Sequence, residues 1–127
     1  MVNKLQKKQV VEFDSPKYIF IGLVTQKLPH EIILLMEELF QLKFTMMQKD
    51  DKEFFLAQEN NVSYVLLTKS FIKDYDLDYI FIIIPLNDSF NDEEFVNKIK
   101  ETKKLQGIYK LNVSKKVMKE LIHNLNL

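Results

Sequence analysis

His30 and His123 are the only imidazoles in this 127-residue chain, and there is no cysteine. Thiolate chemistry and disulfides are therefore excluded. Neither histidine has a serine or carboxylate at a spacing that suggests a nucleophile–base–orienter triad. Glu31 adjoins His30, but adjacent residues on a helix point about 100° apart. Both histidines read as surface residues, and no catalytic residue is assigned. Asp74, Asp76 and Asp78 alternate as oxygen ligands for Ca²⁺ or Mg²⁺ would. An EF-hand loop counted from Asp74 needs Gly at its sixth position and Glu at its twelfth, where this chain has Tyr79 and Pro85. The three aspartates are expected to form a solvated acidic loop, available to a partner, with no metal and no cofactor. Gly22 and Gly107, the only glycines, stand alone, so a glycine-rich phosphate loop is impossible. Gly22 is expected to mark a bulge or a close approach by a helix.

Charge is the most unusual feature. The formal net charge is zero, from 18 lysines, no arginine and 18 acids. Residues 74–94 carry seven acids and no lysine, whereas 98–119 carry eight lysines against Glu101 alone. The zero is thus built from two opposite blocks. Lys103, Lys104, Lys110, Lys115, Lys116 and Lys119 are the candidate contacts for a polyanion or an acidic protein. Lys115 and Lys116 open a helix, where the macrodipole disfavours positive charge. Without arginine, the bidentate fork that reads phosphate and guanine is missing from the whole surface.

These residues must be positioned by one domain, since 127 residues with 46% apolar and 28% charged content suit a single globular unit. Residues 1–16 are expected to form an extended or partly ordered arm. They lack the apolar run of a secretory signal, and the longest apolar stretches fall well short of the roughly 20 residues of a membrane helix. A cytoplasmic protein with no membrane role is the default.

Residues 18–25 are apolar without alternation, as in a strand covered on both faces. Pro29 opens a helix over 30–42 whose stripe is Ile32, Leu35, Met36, Leu39 and Phe40. Leu34 falls on its polar side, a candidate apolar contact. Strands at 43–48, 53–59 and 62–69 follow, joined by a turn at 49–52 and by Asn60–Asn61. After a loop at 70–77, Ile80–Ile84 is a second doubly buried strand ended by Pro85. Asn91 caps the next helix in a capping box with Glu94, and Phe90 and Phe95 occupy the staple positions. A strand at 108–113 places Tyr109, Leu111 and Val113 on its buried side. Ser114 caps a last helix. The order is β-α-β-β-β-β-α-β-α, an α+β fold with a mixed, mostly antiparallel sheet and helices packed on it.

Tyr18-Ile-Phe-Ile-Gly-Leu before the helix from Pro29, Leu77-Asp78-Tyr79-Ile-Phe-Ile-Ile, and Leu105-Gln-Gly-Ile-Tyr-Lys-Leu-Asn-Val together resemble the IPExxxVDY family of small bacterial proteins. Leu77-Asp78-Tyr79 matches the second part of the naming motif with Leu for Val, while Phe71-Ile72-Lys73 stands where Ile-Pro-Glu would be. The resemblance implies a bacterial cytoplasmic α+β protein and singles out Asp78 and Tyr79. It brings no activity with it.

The sequence thus leads to a non-enzymatic protein-interaction or adaptor module, with a homodimer or a protein partner expected. The alternative is an RNA- or polyanion-associated protein using the lysine-rich 98–119 segment. A small-ligand regulatory domain is a more remote alternative that rests on element order alone.

Overall fold

A computed structural model describes residues 18–71, 76–86 and 90–125. The expected N-terminal arm and Asp74 lie outside the described residues. The elements are β1 (Ile19–Val24), α1 (Pro29–Phe40), β2 (Thr45–Lys49), β3 (Lys52–Glu59), β4 (Val62–Leu67), a 3₁₀ turn (Lys69–Phe71), β5 (Tyr79–Pro85), α2 (Asp92–Thr102), β6 (Gly107–Leu111) and α3 (Lys115–Leu125). They follow the expected order and make an α+β single-domain fold. No helix among the described residues is long and apolar enough to cross a membrane.

The strands form one sheet in the order β2-β3-β4-β5-β1-β6. All five pairings are antiparallel, so the expected mixed sheet is corrected to a uniform one. The reason lies in the crossovers. β5 and β6 run parallel, but the connection through α2 passes over β1, which fills the gap and is antiparallel to both. β1 and β2 also run parallel, yet three strands separate them.

The turns obey local chemistry. Asp50 and Asp51 have φ of 51° and 64°, and Asn60 and Asn61 have 51° and 63°. Two consecutive positive-φ residues make the tight turn whose twist matches paired strands, and Asp and Asn tolerate that region. Asn91 Oδ1 accepts the Glu94 amide at 3.0 Å. Ser114 Oγ accepts the Val117 amide at 3.3 Å. Pro85 ends β5 as its last residue, opposite Val62.

Two cores flank the sheet. Ile19, Ile21, Leu23, Leu66, Phe81 and Ile83 pack under α1 and α2, which contribute Ile32, Met36, Phe95 and Ile99. Phe20, Val65, Leu67, Ile80 and Ile82 pack on the other face under Leu121 and Leu125 of α3. Phe95 is the hub of the first core. Its ring stacks on Phe40 at 4.2 Å between centroids and meets Tyr64, Phe81 and Phe90 at 5.7 to 6.0 Å. Gly22 marks neither a bulge nor a helix contact. The β1 register is unbroken, and a Cβ there would lie 2.7 Å from the Leu77 side chain and 3.3 Å from Leu111.

Removing the hub should cost the usual price of a buried aromatic. Phe95→Ala is expected to lower the unfolding free energy by about 3–5 kcal/mol in urea titrations, and Phe95→Leu by clearly less.

Candidate functional site

Two regions draw on the residues singled out by the sequence, and a third does not. The first lies where β1 ends and β5 begins. Leu23 pairs with Tyr79, and the Asp78 amide donates to the Leu23 carbonyl at 2.9 Å. The loops after β1 and β4 and the one before β6 converge there around an open cleft of ≈ 660 Å³ that Asp78, Tyr79, Lys69 and Gln106 help to line. Asp78 Oδ2 accepts the Thr25 amide at 2.9 Å. The Tyr79 hydroxyl donates to the Lys27 carbonyl at 2.7 Å. Burial, with the nearby Asp78 and Glu31 carboxylates, raises the Tyr79 phenol above its ordinary value. It therefore stays a protonated donor. Asp78 and Tyr79 thus staple the β1–α1 connection, which delivers the start of α1, where Glu31 Oε1 accepts the Leu28 amide at 2.9 Å. Lys69 approaches Asp78 at 3.7 Å from a well-exposed position, a contact that adds little in water. The Asp78 carboxylate and the Tyr79 hydroxyl are committed to holding the loop after β1. Asp76 is exposed in the same connection. His30 and His123 are exposed, and among the described residues no three His, Asp or Glu side chains group as cation ligands.

The second region is the lysine segment. Lys103 ends α2 in the left-handed conformation, φ 57°, and Lys104 follows it. Gln106 donates its amide to the Val24 carbonyl, so these two lysines sit at the cleft end of the sheet. Lys115 and Lys116 open α3 beyond the far end of β6, separated from the first pair by a strand about 14 Å long at ~3.4 Å per residue. Lys119 lies a turn further along α3. The strand between them carries Lys110, whose ammonium is hydrogen-bonded to Asp92 in the first turn of α2. The acidic and basic blocks therefore meet at this pair. The contact holds the Asp92 carboxyl below its ordinary range and raises the Lys110 ammonium above its own. Tyr109 does not fulfil the expectation of burial. It shares the α3 side of the sheet with Leu111 but is 54% exposed. It stands opposite Gly22, and its ring lies over Gly107 at the sheet margin.

Leu34 is 56% exposed, as its helical position predicts. The residues three and four positions away are His30, Glu31, Glu37 and Glu38, so it is one apolar point in a polar field.

The third region was not singled out by the sequence. β2 is the outer strand of the sheet, and Thr45 to Gln48 are all exposed. Met46 and Met47 are 57% and 39% exposed and project to opposite faces. The two-residue turn at Asp50–Asp51 makes Lys49 and Lys52 a hydrogen-bonded pair, so alternation directs the amides and carbonyls of Met46 and Gln48 outward. The Phe44 amide is already taken by Glu37 Oε2 at 2.9 Å. Among the described residues no strand pairs with the outer edge of β2. The only sequence signal is Thr-Met-Met-Gln-Lys, a strand with little charge and no clear buried face.

No protein-family model matches the chain, and no curated protein matches it.

Two measurements test this geometry. Asp78→Ala strips the Thr25 amide of its acceptor and should cost about 1–3 kcal/mol in chemical denaturation, whereas Asp78→Asn keeps an acceptor and costs less. For the Asp92–Lys110 pair, the lowered Asp92 value means that its stabilisation is complete above the unfolded aspartate pKa. It is lost as pH falls through the folded value. The stability difference between wild type and Lys110→Gln should therefore be full near neutrality, begin to fall below about pH 4, and vanish only once pH has dropped below the lowered Asp92 value. It should also fall in alkali as pH rises through the raised Lys110 value.

Proposed function

We propose that this chain is a non-enzymatic protein-interaction module of the cytoplasm that engages a protein along β2. The observation that carries this reading is the open edge of β2. Outward-directed backbone groups at Met46 and Gln48 lie beside two exposed methionines, on a strand with one charged residue, Lys49. Strand edges of this kind are templates for pairing with another chain unless charge, proline or a bulge blunts them. Added strands bind through main-chain hydrogen bonds, and flanking side chains set their specificity. Methionine adapts its shape to the surface it meets.

The opposite edge gives a useful contrast. β6 carries Lys110 near its centre, with that lysine fixed to Asp92. The polyanion reading is less favoured because the lysine segment is split between the two ends of β6 and its central member is neutralised. A ligand-binding reading of the cleft is less favoured because Asp78 and Tyr79 are already engaged with backbone groups.

The test is photo-crosslinking in cells that make the full chain, with a photoreactive residue at Met47 or, as control, at Leu34. Protein adducts at position 47 and not at 34 are expected, whether the adduct is another protein or the chain itself. Absence of adducts at 47 overturns the reading. So does RNA binding at low salt that disappears in Lys115→Glu with Lys116→Glu, since it would favour the polyanion alternative.

A further inference from the structure

Resting on the reading of β2 as the interaction edge, we infer that its partner is a second copy of this chain. The two β2 strands pair antiparallel about a two-fold axis through Met47, which extends the sheet from six strands to twelve.

Symmetry and hydrogen bonding fix the register. A continuous sheet keeps corresponding faces of the two copies on the same side, so the axis stands perpendicular to the sheet. Each residue then pairs with one of the same alternation, and the axis must pass through a residue. Away from the two end residues of β2, Thr45 and Lys49, the choices are Met46, Met47 and Gln48.

Centring on Met47 sets Met46 opposite Gln48 of the second copy. Both direct their backbone groups outward, so the two symmetric pairs form four hydrogen bonds. Centring on Met46 forms only one complete pair at the axis, because the next outward amide, that of Phe44, is occupied by Glu37. Centring on Gln48 would pair Met46 with Asp50, which lies in the turn at φ 51° and outside the strand.

Charge selects the same register. With the axis at Met47, Lys49 lies opposite Thr45, and Lys43, just before the strand, faces the Asp50–Asp51 turn of the other copy. With the axis at Met46, Lys43 opposes Lys49 twice. Opposite charges across a strand pair stabilise it and like charges oppose it. The segment from 43 to 53 is itself neutral, with Lys43, Lys49 and Lys52 against Asp50, Asp51 and Glu53. The whole chain has no net charge, so long-range repulsion does not resist association. One strand pair makes a small interface, under about 1,200 Å², and such contacts are weak and concentration-dependent.

Cysteine scanning reads the register directly, since the chain has no cysteine of its own. At the axis, Met47 and its mate form a non-hydrogen-bonded pair with Cα atoms about 4.5 Å apart, within disulfide reach. Two copies of position 46 would be diagonal and roughly 7–8 Å apart. Under mild oxidation at millimolar protein, Met47→Cys should form a disulfide-linked dimer at least about ten times faster than Met46→Cys or Leu34→Cys. In sedimentation equilibrium the wild type should show reversible dimerisation. Met47→Lys, which sets like charges against each other on the axis, should remove it, and Lys43→Glu should weaken it several-fold, with circular dichroism unchanged.

Faster linkage through Met46→Cys overturns the register. A strictly monomeric wild type at millimolar concentration, with Met47→Cys no faster than the controls, overturns self-pairing. If position 47 still crosslinks to another protein in cells, the interaction reading survives that loss; if it crosslinks to nothing, both fall.

Discussion

The fold depends on the absence of a polar face in β1 and β5. Ile19, Phe20, Ile21 and Leu23 in one strand and Ile80 to Ile83 in the other are buried whichever way they point. A strand of this kind is stable only between two neighbours and beneath cover on both sides. The two strands pair with each other in an unbroken register. That pairing keeps both strands off the sheet edges and obliges the chain to send α1 and α2 to one face and α3 to the other. Everything else is arranged around it. Gly22 leaves room for Leu77 to lie across β1, and Asp78 and Tyr79 tie the outgoing loop of β1 to the incoming end of β5.

Covering the centre with three short helices leaves the margins open, and the two margins are treated differently. β6 holds Lys110 against the first turn of α2, so one ion pair both ties the edge strand to a helix and places charge on that edge. β2 enters from α1, whose Glu37 carboxylate takes the Phe44 amide. That contact satisfies the edge only up to the start of the strand. Met46 and Gln48 lie just beyond its reach. The exposed edge is thus bounded on one side by a side-chain cap and on the other by the aspartate turn. Such bounds limit how many registers a partner strand can adopt.

Most of the fold is legible in the sequence because its signals are local. Unbroken apolar runs mark β1 and β5, paired Asp and Asn residues mark the two tight hairpins, and Asn91 with Glu94 and Ser114 mark helix starts. The uniform antiparallel sheet is not legible, since it depends on which strand fills the space beneath each crossover. Nor is the edge position of β2, because exposure of Met46 and Met47 follows from strand order rather than from periodicity. Tyr109 shows the same limit from the other side. Alternation assigns its face correctly, but α3 covers the middle of that face and leaves the β6 margin bare. Leu34 is legible because helical spacing alone determines its exposure.

The opposed acidic and basic segments are best understood through this topology. Their contact at Asp92 and Lys110 joins the start of α2 to β6, so charges that are far apart in sequence meet because the crossover over β1 returns them to one place. The other candidate lysines lie on either side of β6, Lys103 and Lys104 at the end of α2 and Lys115, Lys116 and Lys119 in α3. A segment that reads as one basic block along the chain is therefore divided by a strand in space. The local charge pattern at β2 behaves in the opposite way. Lys43, Lys49 and the Asp50–Asp51 turn are unremarkable in sequence, yet a strand and its tight turn hold them in fixed register. A fixed register of both signs discriminates between pairings that equal apolar content would leave alike. In the pairing proposed along β2, the spacing of a few charges therefore matters more than the total of eight lysines in the 98–119 segment.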